Sequence, residues 1–449
     1  MMQDLRRYGL AAGIFLVLVN AHGEQLPKES YSGSLRGTYD YRSLGSYEDH
    51  DGYAYWYLRG RNLAEGHVDL YTSGRLYTDF DGDSSTYADD PFIGLEDTSR
   101  QDDVRVLQLY VEMHDPKNTM ALRCGRQYVD IADYIQMDGV QGMLFENKKL
   151  GGRVFAGKPV SYYSSTSGDL FAGASLVGRP WEGNRSRITY ARYDDDTASA
   201  VDDHYFLDVR QQILEEVRTR AYLSVMNEDV RMGGLDLYYM SLSDRVLDAE
   251  LGIRRWGNFD ADTRAYSPLV QALGDLEAYT TGYGRVTSQL LAWLYLSPGI
   301  YVRHSDDSDD TNRSYEKYDL SLIFEPTDAL NATIALEYWD VDDDDRFFGV
   351  TGDIRYRHRK IWEASLGVAY VDYTYYQFSD FTVSADGGSI VVGSDGTRTE
   401  TSPDAFSYFL RGKWNISENM TMRVSGEIED DSTEDDLGYR VRTSFEVRL

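Results

Sequence analysis

The sequence predicts an all-β protein, a transmembrane antiparallel β-barrel of about 22 strands (roughly 18–24), with short periplasmic turns and long acidic extracellular loops. Three observations predict it. Apolar and polar residues alternate with period two in segment after segment. Short and long connections take turns between these segments. An N-terminal export signal precedes a chain with no second apolar run of comparable length.

The signal comes first. Arg6 and Arg7 precede the apolar run Leu10–Val19, and Ala21-His22-Gly23 offers a small-x-small cleavage site. The run is too short to span a bilayer as a helix. A buried helix is the competing reading, and the basic flank and cleavage site speak against it. Residues 1–23 are therefore expected to be a signal peptide and residues 24–449 a single barrel domain. The first strand is expected near Ser32, which leaves no room for a separate N-terminal plug. The single cysteine, Cys124, lies far from the cleavage site, so neither a lipoprotein signal nor an internal disulfide is expected.

Composition agrees. Hydrophobic residues make up 42% of the chain, and mean hydropathy is −0.50. A barrel strand places only every second side chain in lipid, so a spanning chain can be hydrophilic on average. Tyrosine, with 37 copies, far outnumbers the 16 phenylalanines. That suits rings with one end in lipid and the other in water. A net charge of −30 argues against a nucleic-acid partner and is compatible with divalent cations at acidic loops.

The alternation is clearest from Leu437 to Leu449. Leu437, Tyr439, Val441, Thr443, Phe445, Val447 and Leu449 share one face, and Arg440, Arg442, Ser444, Glu446 and Arg448 share the other. The pattern recurs with Met420, Met422, Val424 and Ile428; with Phe406, Tyr408, Leu410 and Trp414; with Trp362 through Tyr370; with Leu330 through Tyr338; with Leu247 through Ile253; and with Val217 through Val225. Short links are expected at Asp115-Pro116-Lys117-Asn118, Ser297-Pro298-Gly299, Pro326-Thr327-Asp328, His358-Arg359-Lys360 and Ser417-Glu418-Asn419. Longer ones are expected at Asp79–Asp103, Asp194–Asp203, Asn258–Gly284, Ser305–Ser314, Tyr376–Pro403 and Asp430–Asp436. Two segments break the pattern. Val129–Met137 reads as a mixed loop with a short helical turn, and Ala265–Thr280 carries a weak helical period. Either could fold into the lumen as a constriction, or lie outside as an ordinary loop.

The signal peptide, the short turns, the closing amphipathic strands and Arg123-Cys124-Gly125-Arg126-Gln127 ahead of Asp138-Gly139-Val140 resemble porin-like outer-membrane proteins of Gram-negative bacteria. The resemblance implies residence in the cell outer membrane, lipid around the barrel and small hydrophilic solutes or ions as cargo. Many such barrels end in phenylalanine, whereas this chain ends Phe445-Glu446-Val447-Arg448-Leu449.

No catalytic constellation stands out. The seven histidines show no H-x-x-x-H spacing, and there is no Gly-x-Ser-x-Gly, Walker loop or C-x-x-C-H haem site. No catalytic residue, metal site or cofactor is therefore expected. Cys124 shares an apolar face with Met120 and Leu122 and reads as a lipid-facing hydrophobe. The acidic clusters at Asp79, Asp81 and Asp83, at Asp194 to Asp196, at Asp306 to Asp310 and at Asp342 to Asp345 read as solvated loop charge or weak cation sites.

The lumen is then the functional surface. Its expected lining is Arg123, Arg218, Arg220, Glu250, Arg254, Glu337, Glu363, Arg411, Lys413, Arg423, Glu427, Arg440 and Arg442, joined by Asp248, Glu429, Glu446 and Arg448. These charges can select solutes or brace neighbouring strands as ion pairs. Asp130, Asp133 and Tyr134 form the candidate constriction, facing basic residues such as Arg218 or Arg220. The expected function is passive diffusion of small hydrophilic solutes. The alternative is a scaffold barrel that sheathes a partner, such as an electron-transfer cytochrome. Homo-oligomers are compatible with either reading. An outer-membrane enzyme would need a nucleophile–base set that the sequence does not display.

Overall fold

The computed structural model describes residues 31–80, 102–115, 119–132, 134–144, 149–161, 166–196, 199–243, 246–257, 278–306, 313–342, 345–379, 397–432 and 436–449. The strands run β1 (Tyr31–Leu44), β2 (Tyr47–Asn62), β3 (Val68–Asp79), β4 (Asp102–His114), β5 (Met120–Asp130), β6 (Tyr134–Leu144), β7 (Leu150–Pro159), β8 (Leu170–Gly178), β9 (Asn184–Asp195), β10 (Ala200–Gln212), β11 (Val217–Met226) and β12 (Asp229–Met240). They continue as β13 (Leu247–Trp256), β14 (Tyr279–Leu291), β15 (Leu294–Ser305), β16 (Tyr315–Thr327), β17 (Leu330–Val341), β18 (Arg346–His358), β19 (Trp362–Ser379), β20 (Thr397–Thr401), β21 (Asp404–Ser417), β22 (Met420–Asp431) and β23 (Gly438–Arg448). A one-turn helix, α1 (Leu63–Gly66), joins β2 to β3.

Each strand pairs antiparallel with the next, and β23 returns to pair with β1, from Ser34↔Arg448 to Leu44↔Gly438. Closure leaves the wall itself without a sheet edge, which is how a sheet satisfies its backbone polar groups in hydrocarbon. The short β20 pairs only with the outer extension of β19, while β21 takes the wall position beside β19. The barrel wall thus has 22 strands.

The connections separate by end. At the end where β1 begins and β23 finishes, none exceeds the length of 241–246, and 292–293, 328–329 and 418–419 are tight turns. Every long link, including 80–101, 257–278 and 380–403, is at the other end. Two expected links differ. Ser297-Pro298-Gly299 lies inside β15, where the ladder to β14 skips from Arg285↔Gly299 to Ser288↔Leu296. Proline has no N–H to give that ladder, so it reads locally as a turn while the strand runs through. Asp194 and Asp195 end β9 and Ala200 opens β10, so the expected long link Asp194–Asp203 is a tight connection over 196–199.

Leu35, Leu109, Ile188, Leu251, Ile334, Leu366, Leu410 and Val424 project from the outer face and are exposed. With lipid around them, these rows bury what an isolated barrel leaves bare. Cys124 pairs across strands with Val111 and Val140 and so shares the outward row with Leu122 and Met120. The polar rows face inward. Where β1 meets β23, buried Asp40 accepts hydrogen bonds from Arg440 Nη2 (2.7 Å) and Arg442 Nη2 (2.6 Å).

Candidate constriction and lumen wall

The hairpin of β5 and β6 does not follow the wall to its outer end. β4 pairs with β5 only from His114↔Ala121 to Leu109↔Arg126. β6 leaves β7 at Met137↔Pro159. Between these points lies Gly125 at φ +125°, where a Cβ would stand 2.2 Å from the Leu109 carbonyl oxygen. Only glycine takes that backbone so close to its neighbour, and the strand bends there. Residues 126–137 then lean across the inner faces of β7 to β11. Val129, Ile131, Ile135 and Met137 pack with Phe155, Phe171, Ala191, Tyr193 and Met226 in a buried cluster. All five partners occupy lumen-facing register positions, so this is an apolar core inside the barrel.

Polar contacts fix the hairpin further. Gln136 Nε2 donates to the Leu107 carbonyl (2.5 Å), and Arg187 Nη1 of β9 donates to Asp130 Oδ2 (2.5 Å). Arg126 forms a two-point pair with Asp138. Two expectations for this segment need correction. Val129–Met137 is not a mixed loop with a helical turn. Its apolar residues at 129, 131, 135 and 137 form one period-two face, split by a tight turn. Asp130 meets neither Arg218 nor Arg220 but Arg187. Arg220 binds Asp208 (3.0 Å), whose Oδ2 is 3.9 Å from Arg187. Tyr134 stands at the hairpin tip, 75% exposed. Asp133 and residues 258–277 of the second pattern-breaking segment lie outside the described residues.

The expected lining residues all occupy inward register positions, opposite the apolar rows, and the structure divides them. Arg123 binds Glu112 (2.5 Å). Arg254 is 3.6 Å from Asp236, and its Nη2 donates to Tyr283 Oη, whose hydroxyl donates to Asp236 (2.7 Å). Glu337 binds Lys317 and Glu363 binds Arg357, each at 3.0 Å. Arg423 binds Glu446 (2.9 Å), and Glu427 accepts from Ser407 Oγ (2.7 Å). Arg440 and Arg442 serve the seam at Asp40. These are cross-strand braces. Arg218 and Glu250 instead line a recess of about 700 Å³ at the short-turn end, together with Asp248 and Arg285.

Arg411 and Lys413 belong to a larger recess of about 1030 Å³ between β1–β3 and β18–β23. It gathers Arg36, Arg75, Arg355, Arg411, Lys413, Arg423 and Arg442 against Asp353 and Glu363. Among the described residues no carboxylate pairs with Arg36, Arg355, Arg411 or Lys413; Arg36 and Arg411 lie instead over the rings of Tyr55 (4.6 Å) and Phe409 (4.5 Å). Counted around the barrel, this basic wall stands opposite the β7–β11 wall that carries the hairpin. Sequence reasoning missed Arg36, Arg75, Arg187 and Arg355. The signal was available for Arg36, since Ser34, Arg36, Thr38 and Asp40 alternate with Leu35 and Tyr39.

Among the described residues one trio brings metal-type ligand atoms within 4.8 Å of one another, Asp69, Glu112 and His114. Arg59 and Arg123 already neutralise both carboxylates. At the outer rim, Arg255 hydrogen-bonds Asp306 in the link after β15 (2.6 Å) and holds its carboxyl below the usual carboxylate range.

A closed 22-stranded wall, apolar outside and charged inside, defines the class: a transmembrane β-barrel of the outer-membrane type. No family model and no curated protein matches the chain. Solved structures do. OccK1 (OpdK) of Pseudomonas aeruginosa is 11% identical, with 93% of this chain and 98% of that one covered and a TM-score of 0.44. A BenF-like porin from Pseudomonas fluorescens Pf-5 is 11% identical, with 94% and 100% covered and a TM-score of 0.47. OccK2 (OpdF) of Pseudomonas aeruginosa, solved with glucuronate, is 13% identical, with 94% and 98% covered and a TM-score of 0.42. Superposition this loose transfers neither residue roles nor solutes.

Proposed function

We propose that the protein is a channel for passive diffusion of small hydrophilic solutes across the outer membrane, narrowed by the inward β5–β6 hairpin. The observation that carries this reading is the pairing of that hairpin with a basic wall on the opposite side of the lumen. A hairpin packed on β7–β11 leaves the path along β18–β23 and β1–β3, where, among the described residues, four cations lack a carboxylate partner. Fixed charge beside a narrow, low-dielectric passage sorts ions more strongly than the same charge on an open loop. The passage therefore favours anions, although the chain as a whole is acidic. The hairpin also counts against a scaffold that sheathes a partner protein, because it takes up lumen that such a partner would need. Planar-bilayer recording of the purified barrel in a salt gradient tests the reading. A reversal potential on the anion side supports it, and an absence of conductance overturns it.

A further inference from the structure

On the lipid face of the barrel, β14 departs from the rows of large apolar side chains. Two of its successive outward positions are Gly282 and Gly284. The register sets Gly282 between Ile253 of β13 and Val302 of β15, and Gly284 between Leu251 and Ile300. The four flanking side chains stand on either side of a bare strip of backbone, and the result is an apolar groove of about 510 Å³. The fold does not demand glycine at 282. A Cβ there would meet nothing within 4 Å, and its φ lies outside the left-handed region. A glycine inside a strand weakens it, and one recurs where a ligand approaches the backbone closely. At Gly284 the Leu251 side chain already leans over the strip, so Gly282 is the open part of the floor.

Arg255 supplies the second observation. It is the next outward residue after Leu251 and Ile253, toward the end of the barrel that carries the long links. The register aligns it with Thr280 and His304, so a polar shelf crosses β13 to β15 directly beyond the groove. One edge of its guanidinium is taken. Nη1 donates to Asp306 Oδ1 (2.6 Å) and to Thr280 Oγ1 (3.0 Å), and Nη2 donates to Asp306 Oδ2. These contacts hold the group in place. They leave the Nε–H and the second Nη2–H, the side edge of the fork, without a partner among the described residues. Two such parallel donors match a phosphate. The Arg255 side chain is 41% exposed, and His304 beside it is exposed too.

We infer that the groove and Arg255 together hold one phosphorylated glycolipid of the outer leaflet, an acyl chain lying along Gly282 and Gly284 and a phosphate on the open edge of Arg255. Position selects the leaflet, since the shelf lies at the extracellular end. Width selects a chain. The flanking rows are two strand spacings apart, roughly 10 Å, which admits one extended hydrocarbon chain, whereas a second barrel would touch only the crests. Fluid hydrocarbon alone would need neither the trough nor the oriented cation. Native mass spectrometry of the detergent-solubilised barrel tests this with lipid A, with lipid A stripped of its phosphates and with phosphatidylglycerol. Lipid A should remain as a single adduct, and the stripped form should be held about tenfold more weakly, the worth of one charge-assisted contact. Gly282→Leu fills the trough without a clash and should weaken both glycolipids. Arg255→Gln should weaken lipid A and leave the stripped form unchanged. Three results overturn the inference. One is lipid A retention indifferent to Gly282→Leu in a barrel that keeps its heat-modifiable gel mobility. Another is phosphatidylglycerol held as tightly as lipid A. The third is a dimer that Gly282→Leu dissociates, which would make the groove an interface between copies.

Discussion

The hairpin should be held inside the barrel by apolar burial rather than by its ion pair, and two variants separate these causes. Val129, Ile131, Ile135 and Met137 are between 0% and 9% exposed. Burying side chains of this kind is worth about 1.5–3 kcal/mol each, so the four together contribute roughly 6–12 kcal/mol. The Arg187–Asp130 pair has side chains 13% and 33% exposed to the lumen. A solvent-accessible pair of this sort is worth roughly 0.2–1 kcal/mol. Ile131→Ala combined with Met137→Ala removes about 2–5 kcal/mol per site, a large fraction of what holds the segment. Single-channel recording should then show a larger conductance or frequent switching between levels. Asp130→Asn should leave the conductance unchanged. Heat-modifiable gel mobility verifies that the wall still closes in each variant. If Asp130→Asn enlarges the channel as much as the double alanine variant does, burial is not what holds the hairpin.

Other outcomes follow from the same geometry. Val424→Arg puts a charge on the lipid face and should cost about 2–4 kcal/mol near the midplane, whereas Ser425→Arg points inward and should be mild; urea titration in lipid vesicles compares them. Asp130→Asn leaves Arg187 only the more distant Asp208, 3.9 Å away, so the reversal potential should move toward anions, and an unchanged value would remove Asp130 from the selective field. Arg411→Glu with Lys413→Glu should move the same potential toward cations. Neutralising the exposed Asp342 at the outer rim should matter only at low ionic strength, since salt screens exposed charge over about 8–10 Å, whereas Asp345 is buried against Arg313 and is not screened in this way.

Much of the wall was legible because period two leaves little choice: once Leu410 and Trp414 face lipid, Arg411 and Lys413 face the lumen. Two features were not legible, for a shared reason. Hydropathy separates apolar from polar, while a barrel separates outside from inside, and the two diverge wherever apolar groups turn inward. Trp339 shares its row with Glu337, so parity alone places it inside, yet the abundance of tyrosine suggested rings with one end in lipid. Val129, Ile131, Ile135 and Met137 look misplaced for a strand because their partners, among them Phe155 and Tyr193, come from β7 and β9 rather than from adjoining sequence. The bend at Gly125 depends on φ +125° and the Leu109 carbonyl, and a glycine in a strand does not announce either.

The buried carboxylate of Asp40 ties the history of the barrel to its shape. It sits on the first strand, and both guanidiniums that satisfy it, Arg440 and Arg442, arrive on the last. Until β23 is delivered, a wall that curls shut prematurely would bury that charge without either of its hydrogen-bonding guanidiniums, leaving only Arg42 of its own strand 4.0 Å away. An incomplete polypeptide therefore seals less favourably than a complete one, and the seam rewards the chain whose final strand has come into place.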